Sequence, residues 1–344
     1  MTNLEVRPME EVCPPASADT AGPCLQLWPA REVPLGGVRA MNVSRTLPQR
    51  GLPTVGAWCF LDSFGPARVA MSVLPHPHTG LQTVTWPLLG SIRHRDSVGS
   101  DVIVRPGELN IMTAGRGVSH SEFAVLPAQG DGGPDEGSQE LPLQRGLQLW
   151  VALPDAERHR APAFEQYLDL PRLSGPGFTA TVMVGSLAGA TSPATTYSPI
   201  VGADVSCSGQ LSLPLNPDFE HAVLLLDGGL TLDGQAVPPG PLGYLGSGRS
   251  TLDLAASPGT RFVLLGGEPF EEELLMWWNF VGRTHAEVEQ ARLDWEAQAE
   301  LSDAEAAAAR FGLIHGHGPD AGAEAGRIPA PPLPGVQLRP RSRY

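Results

Sequence analysis

The sequence predicts an all-β chain: two tandem, jelly-roll-like β-barrels followed by a short helical C-terminal segment. Three observations lead there. Gly (40) and Pro (35) make up over a fifth of the 344 residues, punctuation that suits many short strands joined by tight turns better than long helices. At roughly 150 residues per domain the length suggests two domains, and either half is long enough to bury its own core. Two segments also echo each other: Val223–Gly228 resembles Thr85–Gly90, and Pro239–Leu242 resembles Pro106–Leu109. That is a weak internal repeat of about 135 residues, as a duplicated barrel would leave.

Residues 1–30, rich in Pro, Ala and Ser, are expected to form a flexible N-terminal extension. Residues 31–155 form the first domain, with β-type runs at Ala57–Leu61, Gln82–Leu89, Val102–Val104 and Gly146–Val151. Within it, the polar stretch Gln129–Gln139 reads as a Gly-rich loop. Residues 156–175 link the halves, and residues 176–312 form the second domain with its terminal helices. Thr284-His285-Ala286-Glu287 and Ser302-Asp303-Ala304-Glu305 are capping-box patterns that open those helices. Residues 313–344, ending in Pro and Arg, read as an extended tail.

Composition excludes several classes of function. A formal net charge of −14 provides no basic footprint for a phosphate backbone, so direct nucleic-acid binding is not expected. Every basic residue is Arg, which rules out Lys Schiff-base chemistry. Cys13, Cys24, Cys59 and Cys207 form no CxxC pair, and Cys59, in the apolar run Ala57–Leu61, reads as core. No apolar stretch is long enough to span a membrane, and the N-terminus lacks a secretory pattern. The expected location is the cytoplasm.

The chemistry concentrates in two short segments. Pro75-His76-Pro77-His78 carries two imidazoles at i, i+2, and His120-Ser121-Glu122 carries an imidazole and a carboxylate at the same spacing. Alternate side chains of a strand share a face, so both pairs can point into one barrel. Ligands on one helix face would instead be three or four residues apart. Three neutral nitrogens and one anionic oxygen suit Fe(II), Mn(II), Ni(II), Cu(II) or Zn(II). A closed structural zinc site more often uses Cys.

Around these pairs run Leu61-Asp62-Ser63-Phe64-Gly65-Pro66, Pro75 to Val84, His94-Arg95-Asp96-Ser97, Pro106-Gly107-Glu108-Leu109, Met112-Thr113-Ala114-Gly115-Arg116-Gly117-Val118-Ser119-His120-Ser121-Glu122, and Gly146 to Val151. In order and spacing they resemble the pirin family. The resemblance covers residues 35–155 closely and the part after Gly267 more loosely. It implies a bicupin whose first cupin barrel binds iron, Fe(II), through His76, His78, His120 and Glu122. It also implies quercetin 2,3-dioxygenase activity, known for some members, or metal- and redox-sensing regulation through a protein partner, as others suggest. In the first case Glu122 would accept the proton of a small aromatic substrate's hydroxyl. The family usually has Glu where this chain has Gln82, and often an aromatic residue where it has Ile111. In the second barrel, aligning Gly228 with Gly90 sets Pro214 and Asn216 opposite His76 and His78, so no metal is expected there.

The remaining candidates read more plainly. Arg116, between two glycines near the HxE pair, is a substrate-orienting or Glu122-pinning residue or else a solvated loop Arg. His94 and Asp96 read as surface residues beyond a strand, His315-Gly316-His317 as a solvated loop, and Trp277-Trp278 as core. His159, His221 and His285 carry no pattern.

Overall fold

The computed structural model describes residues 11–13, 22–35, 41–126 and 141–338. The expected Gln129–Gln139 loop lies outside the described residues. The chain is mostly β, built as two barrels. The first has two sheets. Its seven-stranded sheet runs, from edge to edge, Ala163–Tyr167, Leu109–Thr113, Leu81–Leu89, Leu143–Ala152, Trp58–Arg68, Met41–Leu47 and Arg31–Leu35. Its four-stranded sheet runs Ser72–His78, Val118–Ala124, Ile92–Asp96 and Asp101–Val104. The second barrel centres on the long strands Ile200–Pro214 and Thr251–Gly267, paired antiparallel over most of their length.

Alternation along the seven-stranded sheet decides what each face does. Trp58, Gln82, Val84 and Trp86 face the second barrel. Trp86 donates to Asp204 Oδ2 at 2.8 Å. Trp58 Nε1 is shared between the carbonyls of Val201 and Gly266, both at 3.2 Å. One apolar cluster therefore runs from Leu61 and Val84 in the first barrel to Val263 and Leu265 in the second. Cys59 lies in it, fully buried, its thiol pushed up to about 12 by desolvation.

The ends of the chain are less loose than the sequence suggests. Pro23–Trp28, expected in a flexible extension, is an edge strand of the second barrel, paired with Leu242–Gly246. Residues 1–10 and 14–21 lie outside the described residues. The linking segment is woven into both barrels: Ala163–Tyr167 joins the first and Arg172–Gly175 the second. Both expected helices form, His285–Ala297 capped by Thr284 and Asp303–Ala308 opened by a capping box of Ser302 and Glu305. The expected extended tail is instead fastened across the small sheet of the first barrel. Ile328 donates to the Pro75 carbonyl and Ser119 to the Phe311 carbonyl, while Arg95 pairs with Glu324 at 2.6 Å. His317, expected in a solvated loop, is buried, stacked on Phe123 and 3.0 Å from Ser121 Oγ. Local sequence gave no sign of this, because the tail's partners are some two hundred residues away. Trp277 and Trp278 are core, as expected. Among the described residues no helix is long and apolar enough to cross a membrane.

Candidate metal centre

The four-stranded sheet presents one inward face to the barrel interior. Its register sets His76 opposite His120, His120 opposite Asp96, and Glu122 opposite His94. Residues directly opposite share a face. His76, His78, His120, Glu122, His94 and Asp96 thus line one surface, and each is at most 4% exposed. A bulge between His120 and Glu122 shifts the pairing locally, as bulges near functional sites often do.

The three imidazoles converge. Ligand atoms of His76, His78 and His120 all lie within 4.8 Å of one another, and a second group, His94, His120 and Glu122, meets the same criterion. His120 belongs to both, and both lie in the first barrel. His78 Nε2 and His120 Nε2 are 3.1 Å apart. Two nitrogens about 2.1 Å from one ion and at right angles to each other would stand about 3.0 Å apart. The Leu74 carbonyl, 2.8 Å away, engages Nδ1 of His76, so Nε2 is left as the metal donor, and it is buried with no hydrogen-bond partner among the described residues. Burial is the main cause of all three pKa shifts. It lowers His76 to about 3, and it holds His78 and His120 well below the ordinary imidazole value with help from neighbouring imidazoles. The rings are therefore neutral donors near pH 7. Orphaned lone pairs, uncharged imidazoles and a buried carboxylate together fit a borderline divalent cation.

The facing sheet completes the surroundings. Asn110, Thr85, Gln148, Asp62 and Arg45 stand opposite one another across five neighbouring strands, a polar row on the inward face. Thr85 Oγ1 lies 3.2 Å from Glu122 Oε1 and 3.1 Å from Gln148 Oε1. Trp150 meets the His78 ring edge-on at 5.1 Å and stacks on Phe60 at 3.9 Å.

Gly80 fixes the end of the His76/His78 strand. Its φ is +71°, and a Cβ there would stand 2.1 Å from the Val281 carbonyl oxygen. Gly80→Ala is expected to destabilise the fold by about 2 kcal/mol or more, from left-handed strain plus the clash. Urea unfolding would measure it.

Several expectations need correcting. His94 and Asp96, expected at the surface, are buried in the site. His94 Nε2 is 3.0 Å from Asp96 Oδ2, and the His94 ring stacks on Phe164 at 4.6 Å. The signal was present, since the pair has the same i, i+2 spacing as the other two, but the strand runs Ile92–Asp96 and so includes both residues. Arg116 has an exposed side chain. Gln82 lies on the face towards the second barrel, donating to Thr113 Oγ1 at 3.0 Å and the Thr195 carbonyl at 3.1 Å. Ile111, opposite Val84, shares that face. Neither departure from the family pattern touches the inward face.

In the second barrel, Pro214 and Asn216 line a cavity of about 560 Å³ with Phe219 and His221. Burial, with the Arg249 charge, lowers His221 to about 4. As pH falls, the unfolded chain protonates this ring near 6.5 while the fold resists until about 4, so stability is lost across that window. His221→Gln is expected to reduce the pH slope of unfolding free energy between pH 6 and 4 by about 1.4 kcal/mol per unit. Urea titrations at several pH values read this directly.

Comparison with known proteins agrees with this architecture. The pirin family model matches residues 39–151, and a model described as the pirin C-terminal cupin domain matches residues 200–300. The chain is 43% identical over 316 residues to a Pseudomonas aeruginosa protein that carries a provisional quercetin 2,3-dioxygenase name, covering 90% of this chain and 91% of that one. It is 33% identical over 282 residues to a pirin-like protein of Caulobacter vibrioides, covering 79% and 92%. A crystal structure titled quercetin 2,3-dioxygenase from Acinetobacter baumannii superposes with a TM-score of 0.77 at 37% identity, covering 92% of this chain and 98% of that one.

Proposed function

The chain belongs to the pirin family, and on that premise we propose that its first barrel holds one divalent metal, iron(II), on His76, His78, His120 and Glu122 and oxidises a flavonol-like or other catecholic aromatic with dioxygen. The observation that carries this reading is the convergence of three buried, uncharged imidazoles. Iron bound there would supply affinity for a deprotonated hydroxyl and a place for dioxygen beside it. The rest falls to the chain. Glu122 takes the proton of the substrate hydroxyl, steadied by the Thr85 hydroxyl at 3.2 Å. Asn110, whose buried amide has no hydrogen-bond partner among the described residues, offers a donor and an acceptor to the substrate's polar groups. Trp150 and Phe60 keep the His78 side of the site dry.

The test is an anaerobic titration of the iron-loaded protein with quercetin, followed by oxygen and product analysis. Oxygen uptake with turnover is expected, and Glu122→Gln should lower kcat by about 10²- to 10⁴-fold. No uptake above that of free iron would sink the reading for that substrate. It would leave the regulatory alternative, which requires partner affinity to differ between ferrous and ferric protein.

A further inference from the structure

Beside the three imidazoles lies a second buried pair that the proposed chemistry does not use. Asp96 Oδ1 accepts the backbone amides of Val98 at 3.0 Å and Ser100 at 2.9 Å. Its other oxygen, Oδ2, lies 3.0 Å from His94 Nε2. The opposite edge of that ring, Nδ1, lies 3.5 Å from His120 Nδ1. His120 Nε2 in turn faces His78 Nε2. Asp96, His94 and His120 therefore form an unbroken line from two fixed backbone amides to the converging nitrogens.

With both rings neutral and Asp96 a carboxylate, one arrangement of protons satisfies every contact in that line. The carboxylate oxygen accepts, so His94 carries its proton on Nε2 and keeps a lone pair on Nδ1. That lone pair needs a donor, so His120 carries its proton on Nδ1. The Nε2 lone pair of His120 is then left to the centre. We infer that His94 and Asp96 are positioning residues that hold His120 in the tautomer whose Nε2 is the metal donor. The inference rests on the reading of His76, His78 and His120 as metal ligands. It assigns His94 a role outside the ligand set, although a His94 nitrogen lies within 4.8 Å of ligand atoms of His120 and Glu122. The stacking of His94 on Phe164, rings 4.6 Å apart and 22° from parallel, holds the ring in the plane the line requires. A carboxylate or carbonyl behind a ligating imidazole is a common way to set its tautomer and basicity, and losing it typically costs about 10- to 100-fold in metal affinity.

Asp96→Asn tests the inference by exchanging one oxygen for an NH₂ group. The remaining side-chain oxygen still accepts the Val98 and Ser100 amides, but the new NH₂ donates to His94 Nε2. His94 must then carry its proton on Nδ1, and His120 is driven to carry its own on Nε2, facing the centre. Zn(II) affinity, measured by chelator competition, should fall by about 10- to 100-fold, while the thermal midpoint of the metal-free protein stays close to wild type. The second measurement needs no variant. ¹⁵N shifts of the imidazoles in the Zn(II)-loaded wild type should place protons on His120 Nδ1 and His94 Nε2, with His94 not coordinated. A metal-coordinated shift on His94, or the opposite tautomer of His120, would overturn the inference. So would Zn(II) affinity in Asp96→Asn within twofold of wild type. Failure of the wild type to bind Zn(II), Fe(II) or Co(II) at all would instead overturn the metal reading beneath it.

Discussion

His120→Ala is expected to reduce bound metal from about one ion per chain to below roughly a tenth of that, a larger loss than any residue behind a ligand should cause. The reason is position. His120 is the one residue shared by both groups of converging donors, with one ring nitrogen 3.1 Å from His78 and the other 3.5 Å from His94. Removing it leaves His76 and His78 on one strand and Glu122 on the next with nothing between them. Elemental analysis of protein purified without a polyhistidine tag measures the loss. Thermal unfolding gives an independent readout. A metal at about a thousandfold excess over its Kd stabilises the fold by about 4 kcal/mol. That gain should appear in the wild type and be absent in His120→Ala, while the metal-free forms differ little.

Asp62→Ala is expected to give the largest loss of stability, about 3–5 kcal/mol. Arg45 donates two hydrogen bonds to Asp62, at 2.7 and 2.8 Å, and the side chains are 2% and 0% exposed. Removing the carboxylate takes two charge-assisted hydrogen bonds away from a guanidinium buried in the barrel interior, and the cost is chiefly that of the lost pairing where water cannot replace it. The damage should also reach the site. Arg45 lies over the Phe60 ring at 4.4 Å, Phe60 stacks on Trp150, and Trp150 abuts His78. The geometrically similar pair Arg93–Asp101 is 43% and 51% exposed, so Asp101→Ala should cost no more than about 1 kcal/mol. Urea unfolding of the two variants separates burial from geometry.

The sequence disclosed the architecture through its punctuation. Gly and Pro at short intervals mark the strands, and the two capping boxes mark both helices. The convergence of His76, His78 and His120 was legible because i, i+2 spacing has one structural meaning in a strand. The same spacing in His94-Arg95-Asp96 has the same meaning, but it shows only once the strand is seen to run through Asp96. What the sequence could not disclose was distant pairing. Pro23–Trp28 looks loose until its partner strand, more than two hundred residues later, is in place. His317 looks solvated until Phe123 and Ser121 cover it. Gln82, where the family usually has Glu, lies four residues after His78. Strand alternation points it at the second barrel, where a neutral amide bridging to the Thr195 carbonyl serves packing between the barrels.

The most direct test of the central claim is the anomalous difference density of crystals loaded with Fe(II) or Co(II), recorded at the metal's absorption edge. The account predicts a single strong peak per chain in the first barrel, bonded to nitrogens of His76, His78 and His120 and to an oxygen of Glu122. A peak elsewhere, or one that leaves any of the three imidazoles uncoordinated, would contradict it.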